Sequence, residues 1–294
     1  MHADPSYTTY LAEIDLEAFD KRVAAFWHNP PHNEADAFQR LLEVLEVGAD
    51  GRDGTRAAYV TETATYPAGQ TMWRARIVPL QDQPVLPDLH HESGLWEAPT
   101  KFVQSRGRLN AVGESILYTS IGDAVAAMVE ARVPTGEKFA LIRYETKRPI
   151  TLARIGSDTR PDWLPRELEA AHAHVTNFIK DVFTREFDGR NQLTYMLSNR
   201  IGKDWFDLPP AIVDGWLFAS IAHRKGINAA FRPEKAHDAL RVTGVAYSEA
   251  INSGIMGLRM QARIFSPGYE AVHGGFRWFA MGSPQQAFLF PEFR

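Results

Sequence analysis

Residues 107–120, GRLNAVGESILYTS, place a guanidinium, an amide and two glycines just ahead of an apolar run. Glycine lets the backbone approach a ligand closely, and a guanidinium binds a phosphate or carboxylate through two parallel hydrogen bonds. Arg108 is therefore a candidate for binding an anion, with a purely structural arginine in a polar turn as an equal alternative. Asn110 is a weaker candidate, because an asparagine in a turn more often stabilises its own backbone.

Tyr118 and Glu130 are the next candidates along the chain. Tyr118 lies in an apolar run at 116–120, where alternation puts it on one sheet face with Ser120. Its ring can stack on a flat heterocycle, but a strand tyrosine is more often part of the core. Glu130 lies on an apolar helix at about 122–132, where a glutamate is usually a solvated surface residue. Neither side chain identifies a function by itself.

Arg74, Arg76 and Ser220 are polar side chains set beside apolar ones. Arg74 and Arg76 are two residues apart in a predicted strand, so they share one face, while Trp73 and Ala75 share the other. Two guanidiniums on one face fit either an anion site or a solvent face. Ser220 ends an apolar run that follows an Asp-Gly turn, and its hydroxyl can bind a ligand or the backbone.

Several common ligand-binding motifs are absent from the chain. It contains neither G-x-x-x-x-G-K-[ST] nor G-x-G-x-x-G, which argues against P-loop and Rossmann proteins. His172 and His174 are two residues apart on a predicted helix and point in different directions, and no H-E-x-x-H spacing occurs. Cysteine is absent, which removes disulfides, thiolate nucleophiles and sulfur ligands. We therefore expect no metal site.

The composition is that of an ordinary globular protein, and its charge argues against two classes of partner. Of 294 residues, 45% are hydrophobic, and the formal net charge is -4 with no block of lysine or arginine. This balance lacks the electrostatic footprint of a protein that binds nucleic acid or an anionic membrane. The N-terminus has neither a basic start nor an apolar segment of a secretory signal. We expect a soluble, cytoplasmic chain with no direct nucleic-acid or membrane partner.

The elements that would position the candidate residues are helices and strands in no strict alternation. Asp15 caps an amphipathic helix at 16–28, and a second helix runs from about Glu34 to Val47. Together they form an N-terminal helical extension over residues 1–58. The polar, proline-rich stretch from Gln81 to Thr100 is predicted to be a long surface loop.

Residues 59–294 form the second predicted domain, which ends in a C-terminal hairpin. A long helix is expected at about 164–186, and another at 194–203. Strands are expected at the segments ILYTS, KFALIRYE, PITLARI, INAAFR and LRVTGVAY. This pattern favours an α+β fold, with a mixed sheet core and flanking helices, over a doubly wound parallel sheet.

Four segments, taken in order, resemble the RES-domain family, which is named for its arginine, glutamate and serine. They are WRAR at 73–76, GRLNAVGESILYTS at 107–120, AAMVEAR at 126–132 and DGWLFAS at 214–220. The spacing G-R-x-N-x-x-G-x-x-x-x-Y is the most specific part, and the resemblance covers roughly residues 70–245. It implies an ADP-ribosyltransferase-like core and an enzyme that degrades NAD by hydrolysis or phosphorolysis.

By position, the resemblance assigns catalytic roles to Glu130, Arg108 and Tyr118. Glu130 would stabilise the oxocarbenium ion that forms when the nicotinamide-ribose bond breaks, as in glycosidic cleavage generally. Arg108 would hold the pyrophosphate or another anionic group, and Tyr118 would stack on the nicotinamide.

The resemblance likewise assigns residues that bind the dinucleotide. Arg74 would share the pyrophosphate, and Ser220 would orient a ribose or an amide. Arg76, on the same strand face as Arg74, and Asn110, in the glycine-flanked loop, complete the predicted NAD-binding set.

The sequence therefore predicts a NAD-consuming enzyme that cleaves the nicotinamide-ribose bond, with NAD as substrate and no further cofactor. Because the family includes toxins of toxin-antitoxin pairs, the resemblance implies a helix-turn-helix antitoxin as partner if this chain is toxic. A homo-oligomer is left open. Two alternatives also stay open: an ADP-ribosyltransferase that modifies a macromolecule, and a non-catalytic nucleotide-binding module.

Overall fold

The structure, a computed structural model, describes residues 5–47, 61–77, 89, 91–157, 160–185, 193–223, 226–252, 258–291 and 293. The chain divides into two compact units. The helical unit comprises Met1–Ala64, Gln104–Val112 and Ala153–Pro209, and the sheet unit comprises Thr65–Val103, Gly113–Leu152 and Pro210–Arg294. The predicted boundary between residues 58 and 59 lies outside the described residues, so the division into 1–58 and 59–294 stays a prediction.

The described residues contain eight α-helices: α1 (Pro5–Ala12), α2 (Leu16–His28), α3 (Glu34–Leu45), α4 (Ala124–Glu130), α5 (Glu169–Thr184), α6 (Leu193–Asp204), α7 (Pro233–Ala239) and α8 (Pro284–Leu289). Their strands are β1 (Glu62–Tyr66), β2 (Thr71–Ile77), β3 (Leu117–Ile121), β4 (Lys138–Thr146), β5 (Ile150–Arg154), β6 (Gly215–Ala219), β7 (Ile227–Phe231), β8 (Leu240–Asn252), β9 (Leu258–Ser266), β10 (Tyr269–Glu270), β11 (Gly275–Phe276) and β12 (Phe279–Ala280). None of these helices has both the length and the apolar character needed to cross a bilayer.

Helices α2 and α3 begin at side-chain caps. Asp15 accepts a hydrogen bond from the backbone N–H of Ala18 at 3.0 Å, and Asn33 accepts one from Asp36 at 3.0 Å. Such caps satisfy backbone donors that the first helical turn leaves unpaired. The prediction of α2 is confirmed, whereas α3 ends at Leu45, before the predicted end.

Aromatic side chains hold the helical unit together. Phe178 of α5 lies edge-on to Phe19 and Phe26 of α2, with ring centroids 6.3 and 5.4 Å apart. Tyr10 of α1 donates a hydrogen bond to the carbonyl of Leu45 at 2.7 Å. Such ring pairs add about 0.5–1.5 kcal/mol each beyond the area that they bury. The N-terminal helices therefore share a core with α5, and α1 is a helix that sequence reasoning did not predict.

Ten of the described strands form one sheet in the order β1-β5-β6-β7-β3-β2-β4-β8-β9-β12. The neighbours from β6 to β12 in this order pair antiparallel. Antiparallel pairing, with helices that do not alternate regularly with the strands, defines an α+β fold. The predicted fold class is therefore confirmed at this level, and β6, β7 and β3 lie side by side.

The core of the sheet unit includes the large side chains Trp73, Phe139 and Phe265. Phe290, which follows α8, is fully buried among them and stacks on Phe293 with centroids 5.3 Å apart. Burying a phenylalanine of this kind is worth about 3–5 kcal/mol relative to alanine. The two segments of the predicted C-terminal hairpin contain β9 and β12, which pair antiparallel, although β10 and β11 lie between them in the chain. Helix α8 was not predicted.

The prediction that Gln81 to Thr100 form a surface loop is wrong for residues 95 and 96, which the structure places in the interior. Leu95 is fully buried and Trp96 nearly so. The reason is that three side chains of neighbouring strands donate hydrogen bonds to the carbonyls of residues 94–96. One of the three is Tyr144, and burial raises the pKa of its phenol to about 12.

Candidate active site

Helix α4 carries Glu130 at its last position, and both ends of the helix are fixed. Asp123 caps its start, where its carboxylate accepts hydrogen bonds from the N–H groups of Val125 and Ala126 at 2.8 and 3.2 Å. After its end, Arg132 adopts a left-handed conformation with a φ of 50°. Glycine is the usual residue at such a position, because a side chain there crowds the backbone.

One carboxylate oxygen of Glu130 accepts several hydrogen bonds. Oε1 lies 2.5 Å from the hydroxyl of Ser220 and 2.8 Å from Nδ2 of Asn228. The backbone N–H groups of Ile221 and Ala222 lie 2.9 and 3.4 Å from the same oxygen. Within the described part of the chain, Oε2 makes no hydrogen bond, and the Glu130 residue is half-buried. The carboxylate therefore has one anchored oxygen and one that a ligand can contact.

Asn228 is held from its other side by Ser120. The hydroxyl of Ser120 donates to Oδ1 of Asn228 at 2.8 Å, and the two residues are direct partners in the pairing of β3 with β7. Both residues are buried, at 2% and 6% exposure. Sequence reasoning missed Asn228, although an amide inside the apolar strand INAAF is a signal, because a buried amide requires partners.

The Asp-Gly turn before Ser220 fixes the strand that leads to it. Asp214 accepts a hydrogen bond from the backbone N–H of Thr151 at 2.9 Å, which ties the start of β6 to β5. At Gly215, any Cβ would overlap the carbonyl oxygen of Ala230 on β7. The motif that begins at Asp214 therefore sets the path of β6, and Ser220 follows directly after this strand.

The turn after Ser220 brings the chain back against α4. The Ser220 N–H donates to the carbonyl of Gly226 at 2.9 Å, and the Ser220 hydroxyl accepts from the N–H of His223 at 2.9 Å. A Cβ at Gly226 would lie 2.9 Å from Cβ of Ser220 and 3.1 Å from that of Ala126. Glycine is therefore needed for this approach. Nδ1 of His223 lies 3.6 Å from a carboxylate oxygen of Asp123.

Tyr118 shares a sheet face with part of this network. It lies two residues before Ser120 on β3, and residues two apart in a strand project from the same face. Across β7, Ser120 pairs with Asn228, and Tyr118 pairs with Ala230. The structure thus places Tyr118 on the face that carries Asn228, and its stacking on a ligand stays a prediction.

The two arginines of the WRAR segment donate to backbone carbonyls. Arg74 donates to the carbonyl of Trp96, and Arg76 donates to that of Gly94 at 2.8 Å. They share one strand face, as predicted, but a turn at residues 92–96 lies against that face. These contacts give both arginines a structural role. Trp73, on the other face of β2, pairs with Ser120, so both arginines project from the sheet face opposite to that of Tyr118 and Asn228. Their predicted contact with the pyrophosphate of NAD stays a prediction.

Arg108 lies in the helical unit and binds the end of α5. Its guanidinium donates to the carbonyls of Phe183 at 2.6 Å and Arg185 at 3.0 Å, and it lies 5.6 Å from the ring centroid of Tyr195. A cation at this end of a helix satisfies unpaired carbonyls and complements the negative end of the helix dipole. These contacts give Arg108 a structural role. Its predicted role in anion binding stays a prediction.

Asn110, also in the helical unit, binds its own loop. Its Nδ2 donates to the carbonyls of Ala111 at 3.1 Å and Ser105 at 3.4 Å, and its backbone carbonyl accepts from the N–H of Gly107 at 3.0 Å. This is the self-stabilising turn that sequence reasoning gave as the alternative. The predicted NAD contact of Asn110 stays a prediction.

Two cavities lie elsewhere in the described structure. One of about 540 Å³ in the helical unit is lined by residues that include His32, Arg106 and Met196. The other, of about 340 Å³ in the sheet unit, is lined by residues that include Trp96 and His237. Hydrogen-bond geometry rather than cavity size therefore identifies the candidate site. Among the described residues, no group of three or more histidines, aspartates or glutamates is arranged to hold a metal ion.

Comparisons with known proteins give no family for this chain. A scan against protein-family models matches no family, and a search of the curated proteins finds no match. The geometry around Glu130 and the order of the sequence motifs are therefore the grounds on which a function can be argued.

Proposed function

We propose that this protein cleaves the N-glycosidic bond between nicotinamide and ribose in NAD, with water or phosphate as the acceptor. The observation that carries the proposal is the geometry of the half-buried Glu130, whose Oε1 is anchored by several donors while Oε2 makes no hydrogen bond within the described residues. The order of motifs that resembles the RES-domain family supports NAD as the substrate. An ADP-ribosyltransferase-like arrangement of the sheet belongs to the same proposal.

One accessible carboxylate is sufficient for this reaction because of the leaving group. The ring nitrogen of nicotinamide in NAD carries a positive charge, so the electron pair of the breaking C–N bond neutralises it without a proton. Positive charge develops at the anomeric carbon of the ribose, where Oε2 of Glu130 would stabilise it. Ordinary glycosidases use a second carboxyl group to protonate a leaving oxygen. The acceptor oxygen then bonds to the anomeric carbon, and an attacking water releases its proton to solvent.

The neighbours of Glu130 have separate tasks in this proposal. Tyr118 would stack on the nicotinamide. Ser220 would hold the carboxylate, because its hydroxyl donates to Oε1 and its oxygen accepts from His223.

The test is a time course of NAD loss and nicotinamide release, with and without phosphate, for the wild type and Glu130→Gln. The substitution keeps the size of the side chain and removes its charge. We expect turnover to fall at least about 100-fold, because electrostatic stabilisation of the transition state is lost. Chromatography of the ribosyl product identifies the acceptor as water or phosphate.

Glu137→Gln is the matched control. Glu137 is in the same unit, and within the described part of the chain its side chain makes no hydrogen bond or ion pair. We expect this variant to turn over NAD at the wild-type rate. Failure of the wild type to release nicotinamide, or full activity in Glu130→Gln, would overturn the proposal.

A further inference from the structure

We propose that Asn228, oriented by Ser120, is a positioning residue that holds the carboxylate of Glu130 so that Oε2 faces the substrate. The inference rests on the proposed function, which it deepens by naming the residues that set the geometry of the catalytic carboxylate. Asn228 lies outside the four segments that resemble the RES-domain family, and Ser120, the last residue of one of them, has no role assigned by the resemblance.

The hydrogen-bond directions allow one arrangement of the Asn228 amide. An ionised carboxylate only accepts hydrogen bonds, so the group that faces Oε1 of Glu130 at 2.8 Å is the NH₂ of Asn228. The amide oxygen then faces Ser120, whose hydroxyl donates to it at 2.8 Å. Ser120 therefore fixes the orientation of the amide, and the amide fixes one oxygen of Glu130.

The backbone supports this chain of contacts. Ser120 and Asn228 are direct partners across two adjacent antiparallel strands, and Phe218 of β6 pairs with Asn228 from the other side. Asn228 thus lies on the middle strand of three, where its backbone is held on both edges. Because Ser120 and Asn228 are buried, water competes little for their bonds, which strengthens them.

The described donors that face Glu130 are neutral, so a charged side chain introduced among them would change the pH at which the Glu130 carboxyl ionises. Strands β6 and β7 contain no titratable side chain. Among the described residues, the titratable side chains near Glu130 on the elements that pack here are those of Asp123, His223 and Tyr118. Arg74 and Arg76 project from the opposite face of the sheet, because Trp73, which faces away from them, pairs with Ser120. In Asn228→Asp, a second carboxyl group would replace the amide that donates to Glu130. Two carboxylates at that distance share a proton, so one of them stays protonated to a higher pH.

The experiment measures kcat for NAD against pH in the wild type, Asn228→Asp, Asn228→Ala and Ser120→Ala. We expect the acid limb of the profile to move to higher pH by about one unit or more in Asn228→Asp. We expect kcat at the optimum to fall about 10-fold in Asn228→Ala and less in Ser120→Ala, because a misplaced catalytic group loses rate. Asn228→Ala and Ser120→Ala keep the test valid if Asn228→Asp does not fold.

Ser248→Ala is the matched control for the loss of a buried hydroxyl. Ser248 is fully buried on β8, and its hydroxyl has no hydrogen-bond partner in the described residues. We expect it to keep the wild-type kcat and pH profile. A purely structural role for Asn228 would lower thermal stability in its variants but leave the pH profile and kcat of the folded protein unchanged, and that result overturns the proposal.

A second readout separates this inference from the proposed function. Carbon-13 NMR of labelled glutamate follows the titration of the Glu130 carboxyl, with Glu130→Gln used to assign its signal. A higher midpoint in Asn228→Asp supports the positioning role even if the wild type does not cleave NAD. An unchanged midpoint overturns the positioning role even if NAD is cleaved.

Discussion

The hydroxyl oxygen of Ser220 lies 2.5 Å from Oε1 of Glu130, although 90 residues separate the two in the chain. A carboxylate cannot donate when it is ionised, so the serine donates, and such charge-assisted bonds are stronger than neutral ones. The contact joins the end of β6 to the end of α4. It also gives Ser220 a task that needs no direct contact with a substrate.

Ser220→Ala should therefore impair catalysis through Glu130. Removing the hydroxyl takes one side-chain donor from Oε1 and leaves the N–H of His223 without its acceptor. We expect kcat for NAD to fall about 10-fold, because the carboxylate is less well held, with a smaller change in KM. Steady-state kinetics on the folded variant checks this, and Ser248→Ala serves again as the buried-serine control. An unchanged kcat would show that Ser220 does not support the carboxylate.

Arg108→Ala should destabilise the helical unit. The substitution removes two hydrogen bonds from a guanidinium to the carbonyls of Phe183 and Arg185 at the end of α5. We expect the free energy of unfolding to fall by about 1–2 kcal/mol, since these bonds involve a charged donor but are partly exposed. Urea denaturation followed by circular dichroism measures the change.

Arg166→Ala is the control for Arg108. Arg166 is exposed in the turn before α5, and its side chain makes no hydrogen bond or ion pair within the described residues. We expect its loss to change the free energy of unfolding by less than about 0.5 kcal/mol. The KM for NAD tests the predicted role of Arg108 in anion binding. A raised KM in folded Arg108→Lys would support this role, because lysine keeps the charge but not the bidentate geometry.

Local signals made several elements predictable. Helix α2 follows from the cap at Asp15 and from apolar residues at helical spacing, both of which act within a few residues. The same holds for the shared face of Arg74 and Arg76, which follows from strand geometry alone. What covers that face depends on the carbonyls of residues 94–96, which the chain brings there only in the folded state.

The residues of the candidate site also divide into those that could be predicted from local sequence motifs and those that could not. Glu130 and Ser220 were found through the order of motifs, and the structure brings them together. Asn228 was missed because its importance depends on the register that sets it opposite Ser120, and cross-strand register is a non-local property. A buried amide in an apolar strand was the available signal, but it does not say which partner the amide finds.

Arg132→Gly should stabilise the protein. Arg132 has a φ of 50°, a conformation that costs a residue with a side chain about 1 kcal/mol and costs glycine almost nothing. We expect a gain of about 0.5–1 kcal/mol in the free energy of unfolding, reduced by the greater freedom of glycine in the unfolded chain. Arg132→Ala keeps the backbone cost, so it should show no such gain. Equal stability of the two variants would contradict this explanation.

Glu62 of β1 carries a largely buried carboxyl group in the helical unit. Its side chain is 12% exposed, and its Oε1 lies 3.8 Å from Nε2 of His172. Within the described residues, no hydrogen bond reaches this oxygen. Burial raises the pKa of Glu62, and a hydrogen bond with Ser157 and the charge of Arg154 offset only part of the effect.

Glu62→Gln should therefore stabilise the protein at neutral pH and leave it unchanged in acid. Because burial raises the pKa of Glu62 in the folded state, the folded protein binds more protons than the unfolded chain just above the ordinary glutamate pKa. Stability then falls as the pH rises through that window. Glutamine avoids this loss, so the difference in free energy of unfolding should be near zero at about pH 4 and should grow towards neutral pH. Urea denaturation across this range measures it, with the exposed Glu13→Gln as control; a difference independent of pH would mean that Glu62 is equally ionised in both states.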